Sequence, residues 1–218
     1  MLNMHDFWGA LAGRARPESG LMPRADRRRW QSARTLGDLA GLTALWLEGE
    51  IGSQPGRQPG GPGEETAALV PVLAALCRAG YMTAASQPAR AGGGGGLEQR
   101  GAVRGFAGPG LALRIADAAL AAGLHVIAVP PGRRPRSGES LAVTRRDGAL
   151  VTMFGPMPAG GVTSLASGWG LCHPEAVAAL LGAWQVAVVD PEWGRPGLLW
   201  TSLAAAAGVT PIKIRELT

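Results

Sequence analysis

Four clusters of polar side chains are the places where this chain could do chemistry. Asp190, Glu192, Trp193 and Arg195 come directly after the apolar run Trp184–Val189. Loops that follow strands in α/β sheets are where ligands commonly sit. An aspartate there can bind a ribose hydroxyl, a metal or a substrate amine; Trp193 can stack on a planar ligand and Arg195 can take a phosphate. The plainer reading is an Asp-Pro turn closed by an Asp190–Arg195 bridge. Thr83, Ser86 and Gln87 offer uncharged donors and acceptors at a strand-to-loop exit, although Ser and Gln before Pro88 are also ordinary turn residues. Gln99 and Arg100 lie on an expected strand with Arg104. The even spacing of the two arginines puts them on one face, able to hold one anion or to form a charged strand edge. Glu64 and Glu65 open an expected helix, where acids stabilise the positive end of the helix dipole or, alternatively, supply an acid/base pair.

Several familiar chemistries lack their residues. Five glycines at 92–96 have no Lys-Ser/Thr behind them, which rejects a phosphate-cradling P-loop. His5, His125 and His173 are too scattered for a metal triad, and Cys77 and Cys172 form no CxxC, so no metal site is expected. His125 reads as structural and His173 as a helix-capping or linker residue. No G-x-S-x-G marks Ser86 as a nucleophile. No cofactor is indicated.

The elements that position these residues follow from periodicity and capping. Thr35 with Asp38 three residues on is a capping-box variant opening a helix with Leu36, Leu39, Thr43, Trp46 and Leu47 on one face, stopped at Gly49. Trp46 is expected in the core. A Pro/Gly loop from Gly52 to Gly63 leads to the second helix, striped by Leu69, Val72, Leu73 and Leu76. Pro71 either kinks that helix or sets its regular start near Val70. Tyr81–Thr83 is a short extended segment. Residues 99–130 read as strand, helix, strand, a crossover that permits a right-handed parallel pair. Asp147-Gly148 between two β-type runs is the strongest hairpin signal in the chain. A helix from Pro174, the strand WQVAVVD, a helix over Leu198–Ala206 and a last strand over residues 211–215 complete the order.

The expected fold is α/β (or α+β): a single mixed β-sheet with packed helices and two N-terminal helices. At 218 residues and 46% hydrophobic content, one core-bearing domain is affordable. Residues 1–29 read as a flexible Arg-rich leader, and 30–218 as a single α/β domain with a Gly-rich insert at 91–96. The net charge of +5 is almost all arginine, since Lys213 is the only lysine. Arg27, Arg28 and Arg29 are consecutive, a cluster that nucleic acid could use, although solvated arginines are the plainer account. No apolar run approaches the ~20 residues a membrane span needs, and no signal pattern opens the chain, so a cytoplasmic location is expected. Oligomeric state is not legible.

One resemblance adds to this. ARTLGDL (Ala33–Leu39), WLEG (Trp46–Gly49), EET (Glu64–Thr66), RAGYMTAASQP (Arg78–Pro88), QRGAVRGFAG (Gln99–Gly108) and VVDPEWGR (Val188–Arg195) are similar to the pattern of an actinobacterial family of uncharacterised domains. The likeness spans roughly residues 30–200. It departs from that pattern at Cys77 and Ala89, where relatives carry Asn and Gly. The family implies no reaction. From the residues, the leading expectation is binding of a polar or anionic small ligand or nucleotide in an accessory role, through Thr83, Ser86, Gln87, Gln99, Arg100 and the Asp190–Arg195 loop. An enzyme of nucleotide or phosphoester type using Glu65 or Asp190, and a nucleic-acid-associated protein acting through the arginine cluster, are the alternatives.

Overall fold

The computed structural model describes residues 22–57, 60–92, 96–133, 138–157 and 159–209. The chain is helical from α1 (Arg24–Ser32), which crosses the expected leader boundary at residue 29. Asp26 and Trp30 lie on its buried face: Asp26 accepts from the Gly52 amide at 3.0 Å, and the Trp30 indole donates to the Ser53 carbonyl at 2.9 Å. Trp30 also meets Trp169 edge-on, with centroids 5.5 Å apart. Arg24, Arg27, Arg28 and Arg29 face solvent.

Helix α2 (Leu36–Leu47) carries the expected capping box, with Thr35 and Asp38 exchanging side chain-to-backbone bonds. Trp46 is in the core, its indole bonded to the Gly60 carbonyl at 2.9 Å. Glu64–Leu69 is a 3-10 turn rather than part of the α-helix, and α3 (Val70–Arg78) begins with Pro71 inside its first turn. Proline is tolerated there because its missing N–H would have no partner in any case.

The strands form two antiparallel sheets, not the single mixed sheet the sequence suggests. The first runs in the order β1 (Met82–Gln87), β3 (Ala102–Ala107), β7 (Trp184–Val189), β4 (His125–Val129). The second runs β2 (Leu97–Gln99), β5 (Leu141–Arg146), β6 (Ala149–Phe154). The crossover helix α4 (Pro109–Ala121) does connect two strands of like direction, but β7 is inserted between them and pairs antiparallel with both. Its apolar run suits that central place, since both of its faces are covered. Val186 and Val188 join the main core with the helices, and Val189 joins a smaller cluster with Ala102, Val143 and Phe154 between the two sheets.

The segment 99–107 also breaks where one strand was expected. Gln99 ends β2 in the second sheet, Arg100 and Gly101 form the link, and Arg104 belongs to the first sheet. The β5–β6 hairpin turns at Asp147 (φ 49°) and Gly148 (φ 79°), a pair of positive angles that an Asp-Gly turn tolerates. Helices α5 (Ala159–Gly168), α6 (Pro174–Leu181) and α7 (Leu198–Ala206) complete the layer. His173 caps α6, accepting from the Glu175 amide at 3.3 Å, and His125 starts β4 at the surface. The strand expected at 211–215 lies outside the described residues, as does the middle of the glycine insert.

Candidate functional site

β1 and β7 both run antiparallel to β3, so they are parallel to each other and finish at the same end of the first sheet. Gln87 is paired with Ala102, and Ala102 with Val189, which places the SQP and DPEWGR segments one strand apart. Two strand spacings amount to roughly 10 Å. The sequence motifs therefore share one end of the sheet, but their side chains are turned largely inward.

Gln87 is in the strand and buried, not in an exit loop. Its amide nitrogen donates to the Arg100 carbonyl at 3.0 Å and the Val143 carbonyl at 2.6 Å, while its oxygen accepts from the Thr144 hydroxyl at 2.9 Å. Thr83 is buried too, its hydroxyl 3.3 Å from the Cys77 sulfur, and burial pushes that thiol's pKa up. Ser86 is half-buried on β1. Gln99 uses its backbone carbonyl to accept from the amides of Arg90 and Gly194.

Asp190 is fully buried at the end of β7. Its amide donates to the Gly101 carbonyl, and its carboxylate accepts from the Glu192 amide at 2.9 Å, the turn that Asx residues favour. Arg195 closes the turn: Nε lies 2.9 Å from Oδ2 and Nη2 lies 2.7 Å from Oδ1. Its other terminal nitrogen donates to the exposed Glu192 carboxylate at 2.7 Å. Beside Asp190 the Arg195 guanidinium is held more firmly protonated than usual. Gly194, at φ 73°, lets the loop cross against Ala91, where a Cβ would come within 2.8 Å of backbone. The bridged turn is thus the observed arrangement, and both carboxylate oxygens of Asp190 are engaged.

What remains accessible at this end is a cation–aromatic cluster. The half-buried Trp193 has the Arg100 guanidinium 4.3 Å and the Arg145 guanidinium 4.4 Å from its ring centroid. Arg145 pairs with Glu98 through two bonds of 3.0 and 2.8 Å. Arg100 donates one bond, to the Ala142 carbonyl at 3.0 Å, and its buried Nε has no acceptor. Burial, followed by repulsion from Arg145, lowers the Arg100 pKa, and Asp190 opposes that shift. Arg145 and Glu98 carry no motif and were not expected; the β2–β5 register that pairs them crosses 47 residues of sequence. Arg104, beyond the strand break, lies over Phe154 at 5.3 Å.

Arg104 also borders a cleft with Phe106, Ile127, Met157, Gln185 and Ala187, which has room for about one water. Arg57 stands near it, donating to the Ala84 carbonyl at 2.6 Å and lying 5.2 Å over Trp46. Burial lowers the pKa of both guanidiniums. Glu64 and Glu65 are exposed on the 3-10 turn. No cluster of three metal-ligating side chains occurs among the described residues, and none of their helices is long and apolar enough to cross a membrane.

No curated protein matches the chain. One family pattern, described as a domain of unknown function (DUF6919), matches residues 25–208, from α1 through α7. That match covers most of the chain, and the chain belongs to this family of uncharacterised domains.

Proposed function

We propose that the domain binds a small anionic ligand at the end of the first sheet, with Arg100 and Arg145 as the charged receptors and Trp193 as the platform beneath them. Gln87, Asp190 and Arg195 are then the frame that fixes this surface rather than ligand contacts. The observation that carries the reading is the state of Arg100. Its neighbours Arg145 and Arg195 are each matched by carboxylates, whereas Arg100 bonds one carbonyl and forms no ion pair among the described residues. A half-buried guanidinium beside a second one gains most from an anion that can take two N–H groups at once. Trp193 already engages two guanidiniums, which favours a carboxylate or phosphate group over a base stacked on the indole.

Thermal unfolding at constant ionic strength, with inorganic phosphate, sulfate and a nucleoside monophosphate added in turn, tests this. A rise in melting temperature that Arg100→Ala abolishes and Arg146→Ala leaves intact is the expected result. An equal rise in the parent and in Arg100→Ala overturns it. Acid/base chemistry by Glu65 or Asp190 draws no comparable support, because Asp190 is engaged by Arg195 and Glu65 stands apart in solvent.

The nucleic-acid reading has its own supporting observation. Arg24 and Arg28 are one helical turn apart at the centre of the solvent face of α1, with Arg27 and Arg29 flanking them and the acid Asp26 turned inward. Phosphate backbones are held by such faces with affinity that falls steeply with salt. Anisotropy of a labelled oligonucleotide, with Arg27→Glu/Arg28→Glu as the variant, checks it: salt-sensitive binding lost in the variant supports the reading, and no binding at low salt ends it.

A further inference from the structure

We propose that the anion held by Arg100 and Arg145 is a terminal phosphate in its doubly charged form; this rests on the anion-binding reading above and narrows it to one ligand class. The two arginines are committed along different edges. Arg145 gives Nε and Nη2 to the Glu98 carboxylate at 3.0 and 2.8 Å, and Arg100 gives Nη1 to the Ala142 carbonyl at 3.0 Å. Arg145 Nη1 and Arg100 Nη2 form no hydrogen bond among the described residues, and solvent reaches both. Each is an amino group with two N–H donors. The two guanidinium carbons lie 4.3 and 4.4 Å from the Trp193 ring centroid, so each is within twice that distance of the other. Two cations are thus gathered on one ring, each with an open donor nitrogen.

Four N–H groups on two cations suit an acceptor with several oxygens and more than one charge. A carboxylate or a phosphodiester offers two such oxygens and a single charge. A terminal phosphate offers three and, above its second pKa of ~6, close to two charges. Charge separates these candidates. A second ligand charge about 4 Å from a guanidinium tightens binding roughly fivefold even at the dielectric of water. Glu98 opposes that gain from the Nε edge of Arg145, farther from Nη1 than the guanidinium itself. Asp190 and Glu192 are both taken up by Arg195. Two cations against one nearer acid leave a net preference for the doubly charged form of roughly fivefold. Burial first and repulsion from Arg145 second lower the Arg100 pKa, a strain that an anion between the two guanidiniums relieves.

The melting temperature of the full chain, followed against ligand concentration at constant ionic strength, gives the apparent affinity. Three probes isolate charge: methyl phosphate, which takes its second charge near pH ~6, sulfate, doubly charged throughout, and dimethyl phosphate, singly charged throughout. Between about pH 5 and pH 8 the affinity for methyl phosphate should rise roughly fivefold. Sulfate should stay constant, and dimethyl phosphate constant and weaker. The protein's own charges at this end of the sheet are Glu98 on β2, Arg145 on β5, Asp190, Glu192 and Arg195 after β7, and His125, which pairs with Val189 from β4. Glu98 is held below its ordinary range by Arg145 and keeps its charge. Any change at His125 acts on sulfate as well, so the difference between the two profiles belongs to the ligand. No response to any probe overturns the anion reading itself. Binding of all three with methyl phosphate flat in pH, or matched by dimethyl phosphate, leaves that reading standing and overturns the double charge. A rise that survives Arg100→Ala overturns the placement. Inorganic phosphate at pH 8 identifies the source: binding at least as tight as methyl phosphate marks the free ion, and weaker binding marks an ester.

Discussion

The Thr144 hydroxyl donates to the Gln87 side-chain oxygen at 2.9 Å, and this bond joins the two sheets of the domain. From the same side chain, the Gln87 amide reaches the Val143 carbonyl in the second sheet and the Arg100 carbonyl in the link between them. A primary amide can form four hydrogen bonds, and three are made here in a site only 2% exposed. Hydrogen bonds in such surroundings are strong, and leaving their partners unmade is costly.

Gln87→Ala should therefore destabilise the fold by about 2–4 kcal/mol, since it takes the side-chain partner from the Arg100 carbonyl and the Thr144 hydroxyl in a buried seam, while the Val143 carbonyl keeps the Arg100 amide. Thr144→Val removes one bond while keeping shape and should cost about 1 kcal/mol. Urea unfolding of both variants gives the comparison. A Gln87→Ala protein as stable as the parent would show that the seam is hydrated and the amide dispensable.

That residue also shows where sequence reading stops. Gln before Pro is a local turn signal, and nothing within ten residues distinguishes a turn from a strand end that braces another sheet. Val143 is 56 residues away, and the pairing that brings it close depends on the register of β2 with β5. Features settled within a few residues were legible: the Thr35–Asp38 cap and the Asp147-Gly148 turn outright, and the start of α3 at Val70 and the His173 cap each as one of two readings. The place of β7 was not, because a run of apolar residues says that a strand is buried and not which neighbours it separates. The Asp190–Arg195 bridge was legible as one of two readings, since the turn that makes it is local. The cluster on Trp193 was half visible: Arg100 and Trp193 stood out by type, but Arg145 reaches them through strand pairing alone.

Arg195→Met should be more damaging than its surface position suggests. Arg195 is about a third exposed, but the carboxylate it neutralises is not exposed at all. Removing one partner of such a pair leaves a buried charge, at a cost of about 3–5 kcal/mol. Asp190→Asn keeps the turn acceptor and strands only the more exposed cation, so its loss should be smaller. Denaturant midpoints for the two variants decide the order; the reverse order would place the dominant cost in the arginine.

Deletion of residues 1–28 should lower the melting temperature by several degrees, although the sequence alone suggested a harmless leader. The cut removes the first turn of α1 and with it Asp26, whose carboxylate holds the Gly52 amide. It also thins the cover over Trp30, which is fully buried against Trp169. Asp26→Ala in the full-length chain isolates the first effect and should cost about 1–2 kcal/mol. If the truncated protein melts with the parent, α1 contributes no net stability and the buried face of Trp30 is held by the loop at Ser53 alone.

Acid should act on the fold in part through the cap of α2. Asp38 accepts from the backbone amides of Arg34 and Thr35 at 2.9 and 3.0 Å, while the Thr35 hydroxyl accepts from the Asp38 amide at 3.0 Å. The amide bonds, from Arg34 first and Thr35 next, hold the Asp38 carboxyl below its ordinary pKa of 3.8. A carboxyl depressed on folding contributes stability that is complete above its unfolded pKa and disappears as pH falls through its folded one. The Asp38→Asn protein lacks that term. Its deficit against the parent should be constant from pH 7 to about pH 5 and should shrink below pH 3.8, the ordinary value. Glu48, depressed chiefly by its bond to Arg78, titrates in the same direction but remains in both proteins and cancels from the difference. Thr35→Ala, which removes the uncharged half of the box, should cost about 1 kcal/mol at pH 7. Most of that cost should persist at low pH, because no ionisation is lost with the hydroxyl. Melting temperatures of the three proteins between about pH 2.5 and pH 7 give the comparison. An Asp38→Asn deficit that stays the same at the acid end would mean that the carboxylate, bonded as it is, does not draw its strength from charge.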